Sequence, residues 1–184
     1  MLFVGTSLTA GYGLEPDQAF PSLIARMADS AGTPITAVNA GVSGETSADA
    51  LHRIAWVLRA QADIVVLETG ANDGLRALPV DATRANIAAI VDRVKRAKPG
   101  VPIVLAQMEV PPNMGEGYFM AFHDMYGDIA REKGVTLLPF LLAGVAGRPD
   151  LNQDDGLHPN AVGERIVATN VWRGLQPIIR SIIN

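Results

Sequence analysis

The chain has 184 residues, 48% hydrophobic and 18% charged, which suits one domain over residues 1–184 with a full core and excludes a disordered chain. Its formal net charge of −4 offers no basic footprint for nucleic acid. The absence of cysteine removes thiol nucleophiles, disulfides and thiolate metal sites.

In chain order, Leu2–Val4 is a short apolar run that stops at Gly5 and reads as the first strand. Ile35–Ala40, rich in β-branched residues, reads as the second. Ile64–Thr69, Val101–Met108 and Val135–Leu138 complete the set. Runs that are apolar throughout, rather than alternating, belong to strands covered on both faces. Between them apolar residues recur at helical spacing: Phe20, Leu23, Ile24 and Met27; Leu51, Ile54 and Leu58; Ile87, Ile90, Val91 and Val94; Phe119, Phe122, Tyr126 and Ile129. Thr46-Ser47-Ala48-Asp49 predicts a capping box, and Pro159 is expected in the first turn of the last helix. Strand–helix repetition with right-handed crossovers predicts a three-layer α/β/α sandwich. Its five-stranded parallel sheet takes the flavodoxin-like order 2-1-3-4-5. Pro111–Gly115 and Leu142–Asp154 are the longest irregular stretches, and both are expected at the carboxyl rim of the sheet.

Three runs each follow a predicted strand: Gly5-Thr6-Ser7-Leu8, Gly70-Ala71-Asn72-Asp73 and, farther on, Asp155-Gly156-Leu157-His158-Pro159. In a parallel sheet the carboxyl ends of the strands share one rim, so these pieces converge there. Ser7 taken alone reads as a helix N-cap, and its hydroxyl becomes a nucleophile only when a base removes the proton. His158 is the candidate base, with Asp155 placed to orient its ring. His52 and His123 fall within helical patterns and read as surface residues. The Ser7 and Gly41 N–H groups and Asn72 are candidate donors to an oxyanion. A rival nucleophile, Ser43, sits in Gly41-Val42-Ser43-Gly44-Glu45, a near miss to the G-x-S-x-G elbow. No H-E-x-x-H or paired-histidine spacing appears, so neither metal nor cofactor is expected.

Four blocks in order resemble the SGNH, or GDSL, hydrolases: Gly5-Thr6-Ser7-Leu8, Asn39-Ala40-Gly41-Val42-Ser43-Gly44, Gly70-Ala71-Asn72-Asp73 and Asp155-Gly156-Leu157-His158-Pro159. Within that family the chain is most similar to small bacterial arylesterases and multifunctional thioesterase/lysophospholipases, through Leu8–Leu14 and Gln153–Asn160. The resemblance implies Ser7 as nucleophile, Gly41 and Asn72 as oxyanion donors, His158 as base and Asp155 as its orienting acid. It also implies a mobile loop at Gly74–Pro79 and a second wall at Val110–Met114, with Leu75, Leu78, Val110, Pro111 and Met114 along an acyl groove. Thr6 stands where the family usually has Asp, so Thr6→Asp is expected to shift rate or pH profile modestly through the field on His158.

The expected activity is hydrolysis of small-molecule carboxylic esters with short to medium acyl chains, extending by resemblance to thioesters and lysophospholipids. Two alternatives stand beside it. One is a flavodoxin-like module whose hydroxyls in Gly5–Gly11 hold an FMN phosphate. The other is a sugar-ester (acetyl) hydrolase of the same family. No apolar run reaches the length of a membrane span. No signal peptide precedes Leu2-Phe3-Val4, so the chain as numbered is expected in the cytoplasm, unless a leader was removed before Met1. Nothing in the sequence sets an oligomeric state.

Overall fold

Five parallel strands form the sheet of the computed structural model, which describes residues 1–183. They are β1 (Leu2–Gly5), β2 (Val38–Gly41), β3 (Val65–Leu67), β4 (Ile103–Gln107) and β5 (Thr136–Phe140), ordered β2-β1-β3-β4-β5 as the strand pattern predicts. The three central strands β1, β3 and β4 are almost wholly buried, which is why their sequences are apolar at successive positions. The edge strand β2 is half-exposed and correspondingly mixed.

Seven α-helices connect and flank the strands: α1 (Ser7–Ala10), α2 (Phe20–Ser30), α3 (Ser47–Val57), α4 (Ala71–Leu75), α5 (Val80–Ala97), α6 (Glu116–Lys133) and α7 (Ala161–Ile183). A one-turn 3₁₀ helix spans Pro112–Met114. Right-handed crossovers put α3, α5 and α6 on one face and α2 with α7 on the other, and α2 packs on α7 while α5 lies between α3 and α6. Ile24, Ile54, Ile87, Val91, Phe122 and Ile129, from the predicted helical stripes, are fully buried against the sheet. Each such side chain contributes roughly 1.5–3 kcal/mol by leaving water. The predicted capping box opens α3: Thr46 Oγ1 accepts from the Asp49 N–H, and the Asp49 carboxylate accepts from the Thr46 N–H and hydroxyl.

Three local expectations are corrected. β2 starts at Val38 rather than Ile35, because its partner β1 begins at Leu2 and pairs it with Val38. The Thr36 carbonyl meets only the Met1 ammonium. Pro159 lies outside α7 and forms an antiparallel bridge with Asn152. The first turn of α7 is instead capped by Asn160, whose Oδ1 accepts from the Val162 and Gly163 N–H groups. Finally, the expected loop Gly74–Pro79 begins as helix, since Gly74 and Leu75 end α4.

Candidate active site

β1 ends at Gly5, and Thr6 in extended conformation caps α1, so Ser7 is the first helical residue at the carboxyl rim. There its N–H has no acceptor within the helix. A Cβ on Gly5 would overlap the Thr9 side chain and come 2.6 Å from Glu68 Oε2, so only glycine admits the nearby groups.

His158 arrives from the far end of the chain. The loop that carries it is held at both feet by the Asn152–Pro159 bridge and by the Gln153 N–H donating to the His158 carbonyl (2.8 Å). Gly156 takes a left-handed conformation (φ 69°), which turns Asp155 back on the histidine. Asp155 Oδ1 accepts from the Leu157 and His158 N–H groups (2.9 and 3.0 Å), and Oδ2 lies 2.6 Å from His158 Nδ1. Those His158 and Leu157 hydrogen bonds hold the Asp155 carboxyl down at about 2. An ionised carboxylate only accepts, so Nδ1 carries the proton and Nε2 is the free acceptor. Nε2 lies 2.8 Å from Ser7 Oγ. The Tyr12 ring packs on the imidazole with centroids 4.6 Å apart.

Asn72 sits in the first turn of α4, facing the same cavity as Ser7 and His158. One hydrogen of its side-chain amide goes to the Glu45 carbonyl (2.9 Å), which fixes the amide plane and leaves the other free. Beneath it Asp73 accepts from the Ser47 N–H and hydroxyl (2.7 and 2.6 Å), tying α4 to the start of α3.

Gly41 does not join this set. Its N–H donates to Asn39 Oδ1 (2.9 Å). A Cβ there would overlap the Ala10 backbone, so Gly41 is glycine to let β2 pack against α1. The glycine beside Asn72 is Gly44, adjacent to Glu45 and left-handed (φ 78°), and its carbonyl accepts from Arg76. Among the described residues its N–H meets no acceptor. In this block the turn into α3 begins beside Gly44, not beside Gly41. Ser43 is exposed and hydrogen-bonds no histidine.

A cavity of about 530 Å³ opens beside Ser7, bounded by Leu75, Met108, Val110, Pro111, Phe140 and Leu142 among others. Leu75, Val110 and Pro111 line it as predicted. Leu78 and Met114 do not: Met114 packs onto the hydrophobic core from the 3₁₀ turn, and Leu78 lies beyond α4, where its carbonyl accepts from Tyr118. Glu109 is the one carboxylate on the wall. Its Oε1 lies 2.7 Å from both Gln107 Nε2 and His123 Nδ1, so His123, although exposed, is tied to the cavity.

An FMN phosphate is not favoured in Gly5–Gly11. The Thr6 and Thr9 hydroxyls are buried and donate to the Glu68 carboxylate, which would repel a phosphate. Among the described residues no group of three or more His, Asp or Glu side chains is placed to hold a metal, and no helix is long and apolar enough to cross a membrane.

A hydroxyl, an imidazole and a carboxylate in series at the carboxyl rim of a five-stranded parallel sheet form the constellation of a serine hydrolase. The chain belongs to the GDSL-like lipase/acylhydrolase family, whose model matches residues 3–166. It is 35% identical to an arylesterase of Vibrio mimicus, over 95% of this chain and 87% of that protein. It is 36% identical to thioesterase 1/protease 1/lysophospholipase L1 of Escherichia coli K12, over 97% of this chain and 84% of that one. Among solved structures it resembles the psychrotrophic esterase EstA of Pseudoalteromonas sp., inhibited by monoethylphosphonate, with a TM-score of 0.90, 31% identity and 97% of each chain covered.

Proposed function

We propose that this chain is a serine esterase that hydrolyses carboxylic esters through an acyl-enzyme on Ser7. His158 Nε2 takes the Ser7 proton as Oγ attacks the acyl carbonyl, and Asp155 stabilises the imidazolium that results. The tetrahedral oxyanion is met by the Ser7 N–H, the free hydrogen of the Asn72 amide and the Gly44 N–H, with Gly44 in the place first given to Gly41. His158 then protonates the departing alcohol. Water, deprotonated by the same nitrogen, attacks the acyl-enzyme and releases the acid and Ser7.

The observation that carries this reading is the unbroken series Asp155–His158–Ser7, with spacings of 2.6 and 2.8 Å. The phosphonate inhibition of a related esterase supports it, since phosphonates capture activated serine hydroxyls. The apolar cavity favours short to medium acyl chains, and its size lies within the range of small-ligand pockets. A sugar ester is not favoured, because this wall offers few polar groups to meet hydroxyls. Thioesters and lysophospholipids enter as substrates through the names of the relatives.

The test is a fluorophosphonate probe together with p-nitrophenyl esters of graded acyl length, applied to wild type, Ser7→Ala and Ser43→Ala. Labelling and turnover are expected to vanish in Ser7→Ala alone. Labelling that survives Ser7→Ala and disappears in Ser43→Ala would reassign the nucleophile.

A further inference from the structure

Glu68 follows β3 and is fully buried. Its Oε2 accepts from the Thr6 N–H (2.8 Å) and the Thr9 hydroxyl (2.8 Å). The Thr6 hydroxyl lies 2.9 and 3.0 Å from the two carboxylate oxygens. Among the described residues no lysine or arginine bonds to Glu68. Arg53, which reaches the Gly5 carbonyl, is paired with Glu45 instead. Glu164 and Tyr126, which the Glu68 charge reaches, bring no positive charge. Burial pushes the Glu68 carboxyl up to about 7, against the pull of the Thr6 and Thr9 donors.

An unpaired buried carboxylate is costly, and an apolar residue could fill the same space. What the carboxylate does here is grip the chain on both sides of Ser7, at positions 6 and 9. Helix α1 is only four residues long, too short to fix its own first residue. Glu68 also stands four positions before Asn72 on the same backbone path, and its N–H continues the ladder to the Val4 carbonyl (2.9 Å). The contact between Glu68 and Thr6 therefore sets Ser7 relative to Asn72, the two groups that must converge on one reacting carbonyl.

From this arrangement we infer that Glu68 is a positioning residue for Ser7, and that a hydroxyl at position 6 is matched to the negative charge at position 68. The inference rests on Ser7 being the nucleophile. It also relocates the effect expected of Thr6→Asp. The Thr6 side chain hydrogen-bonds Glu68 and the Leu8 N–H, and makes no hydrogen bond to His158. A carboxylate at position 6 would thus meet another carboxylate head-on, and the disturbance would reach the nucleophile through the clasp.

The test measures steady-state kinetics, the rate of fluorophosphonate labelling and the melting temperature of Thr6→Val, Thr6→Ser, Thr6→Asp, Glu68→Gln and Thr6→Asp/Glu68→Gln. Assays are run well above the Glu68 midpoint, where that carboxyl is ionised. Thr6→Val is expected to lower kcat and labelling rate together by about 10- to 100-fold, with KM unchanged, as small misplacements of a reacting group do. Thr6→Ser, which keeps the hydroxyl, restores both. Thr6→Asp is slower still, and adding Glu68→Gln recovers activity because an amide can donate to the new carboxylate. The inference is overturned if Thr6→Val loses melting temperature but keeps wild-type kcat and labelling, or if the double variant is no faster than Thr6→Asp. Should Thr6→Asp fail to fold, the contrast between Thr6→Val and Thr6→Ser decides alone. Ser7→Ala is run in parallel: labelling that persists there removes the nucleophile reading itself, whatever the Thr6 series shows.

Discussion

His158 Nε2 lies 2.8 Å from Ser7 Oγ although 151 positions separate the two residues in sequence. No local preference makes that contact. It exists because β1 delivers Ser7 to the rim, and because the loop before α7 returns His158 to the same point. Ser7→Ala is expected to lower kcat by roughly 10⁴-fold or more, while Ser43→Ala, altering an exposed loop, leaves it unchanged. Active-site titration with the phosphonate probe, beside ester turnover, reads both.

Asp155, held down at about 2, remains ionised across the working range, so it does not shape the acid side of the rate profile. The kcat/KM of a neutral ester should fall in acid, because a protonated imidazole cannot accept the Ser7 proton. Asp155→Asn should lower kcat by between about 10² and 10⁴-fold, since the Nδ1 proton loses its ionised acceptor. A profile still flat at pH values typical of free carboxylic acids would contradict an imidazole base.

Asn72→Ala should reduce kcat by about 10²–10³-fold with little change in KM, because the amide meets charge that develops only in the transition state. Gly41→Ala should act differently. Its new methyl overlaps the Ala10 backbone, so melting temperature falls. Thermal melts paired with kinetics at low temperature separate the two, and an Asn72→Ala enzyme as fast as wild type would exclude the amide from the anion site.

Glu109 is expected to discriminate by substrate charge, because it is the one carboxylate on the cavity wall. Glu109→Gln should leave a neutral acyl ester nearly unaffected and raise kcat/KM for an ester whose acyl or alcohol part is anionic. The ratio of the two substrates is the measurement, and a ratio unmoved by the substitution would remove this role.

Burial raises the Glu164 carboxyl to about 8 against the pull of the Phe20 N–H, with the Glu68 charge adding to the rise. Unfolding returns it to an ordinary carboxyl near ~4.3. Between those values the folded chain holds the extra proton, so its contribution to stability is full at the acid end and is lost as pH climbs through about 8. Asp155 has the opposite sign: its contribution is present above the ordinary carboxyl range and lost toward about 2. Urea midpoints of wild type and Glu164→Gln, whose amide stays neutral at every pH, should therefore lie close at pH 5 and separate as pH rises to 8, with wild type falling below the variant, roughly the window set by those two values. Parallel curves would show that Glu164 does not titrate as described.

Much of this was readable from residues alone, for identifiable reasons. Ile64-Val65-Val66-Leu67 could only be a strand covered on both faces, and four blocks at strand ends could only meet at one edge. The failures came where partners lie outside the local sequence. Ile35–Ala37 has strand-like residues, but β1 is too short to pair with them. Gly41 and Gly44 are indistinguishable as letters, and only the Asn39 side chain and the Ala10 backbone tell them apart. Leu78 and Met114 have the chemistry of groove residues, yet the end of α4 and the 3₁₀ turn direct them elsewhere. Glu68 follows an apolar run and carries no motif, so its grip on Thr6 and Thr9 appears only when β1 and β3 lie side by side.

The histidine loop is stitched shut below its tip by the Asn152–Pro159 bridge, with Gln153 Nε2 also fastened to the Tyr12 and Pro159 carbonyls. The hydroxyl–imidazole relay consequently depends on a handful of hydrogen bonds at the foot of this loop, outside the sheet. Warming should therefore silence the enzyme when this stitch opens, at temperatures where the sheet still gives its full circular-dichroism signal.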